Sequence, residues 1–182
     1  GLLNYLTGTA LVNPHVTLNY KVPEAAWVKL KRVTDKIPEI PEATEPHPHT
    51  MKLGEFIAHS HLFGRAKVDA WLKKGFSRVT DTTFGEFKKN GLKPALLSKV
   101  VDNLTEAEFK DLFSIIQKTD LMAPSTKSVL SIGEEALSKA IYRLGTVDFF
   151  SVITRRPTIC DFKPIQVEVA IARLKDRVVE DP

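Results

Sequence analysis

Only one cysteine, Cys160, occurs in the 182 residues. A single thiol excludes an internal disulfide framework and fits a reducing compartment. No apolar run approaches the roughly 20 residues that a membrane span needs. The start carries no basic, apolar, small-residue leader pattern. Neither GxxxxGKS/T nor GxGxxG occurs, so the loops that cradle phosphates in common nucleotide-binding folds are missing. No initiator Met opens the chain, which begins on a helix-like run and ends on Glu180-Asp181-Pro182 after a strand-like one. The expectation is a fragment of something longer. What is there is ordinary for a folded protein: 43% hydrophobic and 26% charged residues exclude wholesale disorder.

The charge is unevenly placed. Residues 51–100 hold ten Lys or Arg against four acids, a surplus of six where the whole chain has a surplus of four. The stretch from Arg65 to Lys99 reads as short helices separated by a Thr- and Asp-rich turn and by Gly-Leu-Lys-Pro. Lys73, Lys74 and Arg78 lie close to the turn Val79-Thr80-Asp81-Thr82-Thr83, with Lys88 and Lys89 one helix further on. Hydroxyls and backbone N–H groups at a helix start, flanked by cations, suit phosphates. A solvated charged face is the alternative for any Lys-rich helix.

On either side the pattern changes. Residues 1–12 have helical apolar spacing, stopped by Asn13-Pro14. His15–Tyr20 and Trp27–Val33 alternate, as two strands joined by a turn do. Asp35–Thr50 carries Pro38, Pro41, Pro46 and Pro48 with four acids and one Lys, a linker composition. Met51–Phe63 predicts a helix with Leu53, Phe56, Ile57 and Leu62 inward and Gly64 as a left-handed stop. Lys67–Phe76 predicts a second, burying Val68, Trp71 and Leu72; a third follows Asp81-Thr82-Thr83 with Phe84 and Phe87, ending at Gly91. A fourth segment starts at Pro94 or Ala95 and runs to about Val101. Thr105–Glu108 has the form of a capping box ahead of Phe109, Leu112, Phe113 and Ile116, and Ser131–Glu134 repeats that form ahead of a helix to Leu144, with Gly145 as its stop. The residues 149–154 and 165–171 then read as strands, with Pro157 and Pro164 outside them. The fold class expected is α+β: a central all-α block flanked by incomplete sheets.

Other chemistry finds little support. His47, His49, His59 and His61 fall within fifteen residues, but two sit in the Pro-rich stretch, i, i+2 pairs diverge on a helix, and no third-ligand motif is near. Glu134 and Glu135 stand at a helix start, where acids favour the dipole. Cys160 has no His beside it to serve as base. No catalytic residue and no metal site is expected.

Several short motifs in fixed order carry a resemblance. They are Thr9-Ala10-Leu11-Val12-Asn13-Pro14-His15, Arg32-Val33-Thr34-Asp35-Lys36-Ile37-Pro38, Glu45-Pro46-His47-Pro48-His49, Phe76-Ser77-Arg78-Val79, Leu121-Met122-Ala123-Pro124, Ser131-Ile132-Gly133-Glu134-Glu135, Ile153-Thr154-Arg155-Arg156-Pro157 and Pro164-Ile165-Gln166-Val167-Glu168-Val169. Together they resemble the B subunit of DNA topoisomerase VI, the ATP-dependent type IIB enzyme. The resemblance implies residues 1–36 as the trailing edge of a GHKL-type ATPase domain, 37–50 as a linker, 51–125 as a helix-two-turns-helix domain and 128–182 as the start of a transducer domain. It implies ATP and Mg in the parent protein, bound by residues outside this fragment, which alone is expected to be inactive. It implies two partners, double-stranded DNA and the topoisomerase A subunit, with self-dimerisation through the ATPase region. It also implies no membrane, and a cytoplasmic, nucleoid-associated or nuclear location. Within that picture Lys73, Lys74, Arg78, Thr80, Thr82, Lys88 and Lys89 are the expected DNA-contacting residues. The alternatives are a non-enzymatic nucleic-acid-binding module like that of S13-type ribosomal proteins, and a protein-interaction spacer.

Overall fold

A computed structural model describes residues 1–175; residues 176–182, which close the expected transducer segment, lie outside the described residues. In chain order the elements are α1 (Leu2–Val12), β1 (Leu18–Tyr20), β2 (Val28–Leu30), α2 (Leu53–Ser60), α3 (Val68–Gly75), α4 (Asp81–Lys89), α5 (Pro94–Leu97), α6 (Glu106–Lys118), α7 (Glu134–Ile141), β3 (Val147–Thr154), β4 (Thr158–Cys160), β5 (Lys163–Ile165) and β6 (Glu168–Leu174). The class is α+β. Two compact units form: a helical one from Glu42–Ser128 with Thr158–Ile165, and a sheet-containing one from Gly1–Pro41, Val129–Pro157 and the chain from Gln166.

The helical unit forms because each helix offers an apolar stripe that only its neighbours can cover. Val68, Trp71 and Leu72 sit at i, i+3, i+4 on α3, and Phe109, Leu112 and Ile116 continue the same kind of spacing on α6. They close with Phe56, Phe76, Phe84 and Phe87 into one buried cluster. The Phe56 ring lies 4.8 Å from Trp71 and 5.6 Å from Phe76, centroid to centroid. Each such side chain contributes about 1.5–3 kcal/mol by leaving water. At the start of α6 the expected reciprocal cap is present: Thr105 N donates to Glu108 Oε2 at 2.8 Å, and Glu108 N donates to Thr105 Oγ1 at 3.3 Å. Lys99 completes it at 2.7 Å, and that ammonium together with the cap holds the Glu108 carboxyl down to about 2.

Four local expectations are corrected here. Leu62 is 77% exposed, because α2 ends at Ser60 and the tighter turn His61–Phe63 swings it off the apolar stripe. Gly64 stays right-handed at φ −45°. It is a glycine for space, since an added Cβ would lie 2.3 Å from Asp102 Oδ1. The segment after Pro94 is helical only to Leu97, because Val100 is drawn into a bridge with Lys67. The Pro-rich stretch is not free to its end: His47 and Pro48 are buried, and Gln117 donates to Pro48 O at 3.0 Å.

In the sheet-containing unit, β1 pairs antiparallel with β2, and β3 with β6 through a bulge between Val147 and Phe149. Helix α7 packs on β3 and α1. No Ser131 capping box forms. Gly133 caps α7 at φ +92°, and the Glu168 carboxylate on β6 takes the place of the box, accepting from Ile132 N at 2.7 Å and Gly133 N at 2.9 Å. Glu134, freed from that role, accepts from Thr154 N on β3. Gly145 does end the helix, through a 3-10 turn Tyr142–Leu144, at φ +136°. The run expected as one strand over 165–171 is split: Pro164 lies inside β5, opposite Ile159, and β6 begins at Glu168. Proline fits there because a two-stranded ribbon has free edges that need no N–H.

Candidate nucleic-acid interface

The expected cations fall on α3, the turn after it and α4, all in the helical unit. Lys73 and Lys74 stand in the last turn of α3, where the helix dipole favours positive charge. Lys73 Nζ reaches Asp81 Oδ1 at 2.8 Å, and that hydrogen bond raises the pKa of the ammonium. Lys74 and Lys88 have no ion-pair partner among the described residues, while Lys89 pairs with Glu86 at 2.8 Å. Lys88 and Lys89 close α4, about 10 Å along the helix from Asp81 at a rise of about 1.5 Å per residue. The structure thus gathers Lys73, Lys74, Arg78 and Thr80 at one end of α4 and leaves Lys88 and Lys89 at the other.

The turn is tightly self-bonded. Thr83 Oγ1 accepts from Thr80 N at 3.1 Å and donates to Arg78 O at 3.2 Å, with Thr80 Oγ1 a further 3.2 Å away. Thr82 is exposed in the first turn of α4, beside the Asp81 carboxylate. Arg78 adopts φ +64°, a left-handed conformation costing a residue with a Cβ about 1–2 kcal/mol. Its Nε donates to Ala123 O at 2.8 Å, leaving the two terminal nitrogens without a protein partner among the described residues.

Three of the four clustered histidines serve the fold, and His61 is exposed. His47 Nε2 donates to Met122 O at 3.0 Å, and its Nδ1 accepts from His49 N at 3.2 Å. The second bond requires the neutral ring, because Nδ1 must accept, and burial depresses its pKa. His49 Nε2 donates to Ile116 O at 2.9 Å. His59 Nδ1 accepts from Trp71 Nε1 at 3.1 Å, and burial lowers that pKa as well. Cys160 is exposed at the end of β4.

Residues that pattern reading passed over lie beside Arg78. A cleft of about 330 Å³ is lined by Ser77, Arg78, Ser125, Ser128 and Lys163, with Glu45 as its acid. Lys163 arrives on the β4–β5 hairpin, a tight turn through Asp161 (φ +48°) and Phe162 (φ +56°) that contains no glycine. Without Gly, Asn-Gly or Asp-Gly there, the turn had no local signal.

Residues 124–181 match the family model described as the topoisomerase VI B subunit, transducer. Over 94% of its length the chain is 34% identical to the type 2 DNA topoisomerase 6 B subunit of Methanococcoides burtonii and 32% identical to that of Methanosarcina mazei. It is 30% identical to that of Saccharolobus islandicus, again over 94% of the chain. The chain is therefore similar to topoisomerase VI B subunits over nearly its whole length, and its residues 124–181 match their transducer. It spans 27% of the length of the first two relatives and 32% of the third. The transducer match begins at Pro124, so Lys163 and the Ser125–Ser128 loop fall within it, while Arg78 and the basic helices precede it.

Proposed function

We propose that this chain works as part of the B subunit of a type IIB topoisomerase, and that its helical unit touches the backbone of duplex DNA. In the parent enzyme, ATP-driven dimerisation would gate the passage of one duplex through another, with the A subunit making the break. Under this reading residues 1–36, 51–125 and 128–182 are the edge of an ATPase domain, a helix-two-turns-helix domain and a transducer start, joined by 37–50. ATP and Mg would be held by the parent subunit, through residues outside this chain. No helix among the described residues is long and apolar enough to cross a membrane; a cytoplasmic, nucleoid-associated or nuclear site of action follows from the DNA substrate.

One observation carries the DNA reading: three of the five cations proposed for contact, Lys74, Arg78 and Lys88, stand exposed with no carboxylate partner among the described residues. Lys73 and Lys89 are engaged only in exposed pairs, worth about 0–1 kcal/mol, which a phosphate can displace. Thr80 and Thr82 add hydroxyls beside them. Contacts of this kind position a duplex without reading its bases.

Fluorescence anisotropy of the chain with a labelled duplex tests it, over a series of salt concentrations. The expected result is a log–log salt slope of about −0.9 per phosphate neutralised, lost in a Lys73→Glu/Lys74→Glu/Arg78→Glu variant. Equal binding by that variant, or no binding by the wild type at low salt, overturns it. Preference for RNA in competition would favour the ribosomal-type module instead.

A further inference from the structure

The cleft beside Arg78 has the composition of an anion site. Four segments remote in sequence converge on it within the helical unit: the stretch Thr44–Thr50, the turn Ser77-Arg78, the loop Pro124–Ser128 and the β4–β5 hairpin. Two cations face it. Arg78 is fixed through Nε on Ala123 O, and its two terminal nitrogens have no hydrogen-bond partner among the described residues. Lys163 forms no ion pair among the described residues. Against these stands the single acid Glu45, and His47 in the wall is neutral.

Hydroxyl donors complete the set. Ser77 Oγ is buried without a hydrogen-bond partner, although Ser77 N is satisfied by Pro46 O at 3.0 Å. A buried orphan of this kind costs about 1–3 kcal/mol unless something fills it. Ser125 Oγ accepts from Lys127 N at 3.2 Å, which leaves its proton free to donate.

The scaffold is held in costly backbone conformations. Arg78, Asp161 and Phe162 all have left-handed φ without being glycine. The Phe162 ring stacks on His47 at 4.7 Å and meets His49 edge-on at 4.7 Å. That packing pins the hairpin tip, and Lys163 is its next residue. Strain of this order persists where the surroundings enforce it, as at ligand sites. A volume of about 330 Å³ is at the small end of ligand pockets, which run from about 300 to 1,000 Å³.

We propose that this cleft binds one phosphate oxyanion, held end-on by the terminal nitrogens of Arg78, by Lys163 Nζ and by the Ser77 hydroxyl. Guanidinium and ammonium together with a neutral donor match a tetrahedral anion's spread of acceptors. A free phosphate and a phosphodiester of duplex backbone share this chemistry; the second source rests on the function proposed above, the first does not.

The test titrates the 182-residue chain with inorganic phosphate, followed by amide NMR shifts, and separately with labelled duplex. Chloride at matched ionic strength is the reference. Lys163→Ala, Ser77→Ala and a Lys110→Ala control, exposed on α6 away from the cleft and from the proposed interface, run in parallel, their folds checked by circular dichroism. The expected result is a phosphate-specific shift of the Ser77, Arg78 and Lys163 amides. Its apparent Kd should rise about tenfold in Lys163→Ala and about threefold in Ser77→Ala, with no change in the control. If duplex affinity also falls in Lys163→Ala, the phosphate is a backbone one; if it does not while the phosphate response stands, the site takes a free anion. No phosphate response beyond that of chloride, with duplex binding equal in Lys163→Ala and wild type, overturns the cleft and leaves the DNA reading to Lys74 and Lys88. Absence of duplex binding with the phosphate response intact overturns the DNA reading alone.

Discussion

The helical unit and the sheet-containing unit are held by different physics. In the first, fifteen buried apolar residues from Phe56 to Leu121 form one continuous cluster. In the second, among the described residues, the buried hydrophobic side chains are Ala10, Leu137, Ala140 and Ile141, while Phe149, Ile153, Val169 and Ile171 on β3 and β6 are exposed, Ile171 at 60%. Polar clasps supply what its core does not. Arg143 donates to three carbonyls, those of Ala10, Pro14 and Val16, with the last at 2.8 Å. Glu168 holds Ile132 N, Gly133 N and the Thr154 hydroxyl, the last at 2.8 Å. Hydrophobic burial is tolerant of direction; clasps of this type are not. The helical unit should therefore fail through lost volume and the sheet-containing unit through lost donors and acceptors.

The largest effect should come from Phe56→Ala, which empties a site between Trp71, Phe76 and Phe113. A loss of about 3–5 kcal/mol is expected, read as faster native-state hydrogen exchange of the Leu112 and Ile116 amides. Exchange of β3 accelerated to the same degree would mean that the two units unfold as one. Next, Arg143→Met keeps the apolar stem but deletes the charged donors, and should cost about 2–3 kcal/mol, read at the amides of α7 and β3. An unchanged α7 would sink the polar-clasp account.

The pH response should be smaller and should separate the units further. His47 and His59 are neutral in the fold with depressed pKa values, caused first by burial. The unfolded chain therefore binds protons more readily, so their contribution is complete above about 6.5 and is lost as pH falls through the lower folded values. Glu108, held at about 2, adds a second decline between its ordinary 4.5 and that value. Urea midpoints measured in steps below neutrality should fall for the α6 amides, and a His59→Asn variant, which keeps an acceptor for Trp71, should flatten the first step. A flat profile in the wild type would contradict both ring assignments. The smallest effect is expected where the units are alike: Lys89→Ala breaks an exposed pair on α4 and Lys139→Ala one on α7, each worth under about 0.5 kcal/mol. A larger loss at either would show that the pair is part of a wider network.

Much of the helical unit was legible in the sequence because its signals are local. The apolar spacing of α3, the Thr105–Glu108 cap and the Gly91 stop each involve residues within about one or two turns of each other. The misreadings share another cause. Ser131–Glu134 looked like a cap, yet Glu168 on a distant strand took the N–H groups. Leu62 fitted a stripe that a 3-10 turn interrupted. The β4–β5 hairpin was invisible because its turn is built from Asp161 and Phe162, residues with no left-handed preference strong enough to announce it.

For the candidate interface the division is the same. Composition and near neighbours were enough to set the helical positions, the surplus of positive charge on them and the lack of a nucleotide-cradling loop, since each depends on residues within a turn of one another. It took the folded chain to pair Lys73 with Asp81 while leaving Lys74 without an ion pair among the described residues, and to bring Lys163 and an unpartnered Ser77 hydroxyl into a cleft with Arg78. Such groupings are set by where closed loops bring distant residues together, and loop closure leaves no periodicity in the sequence to read.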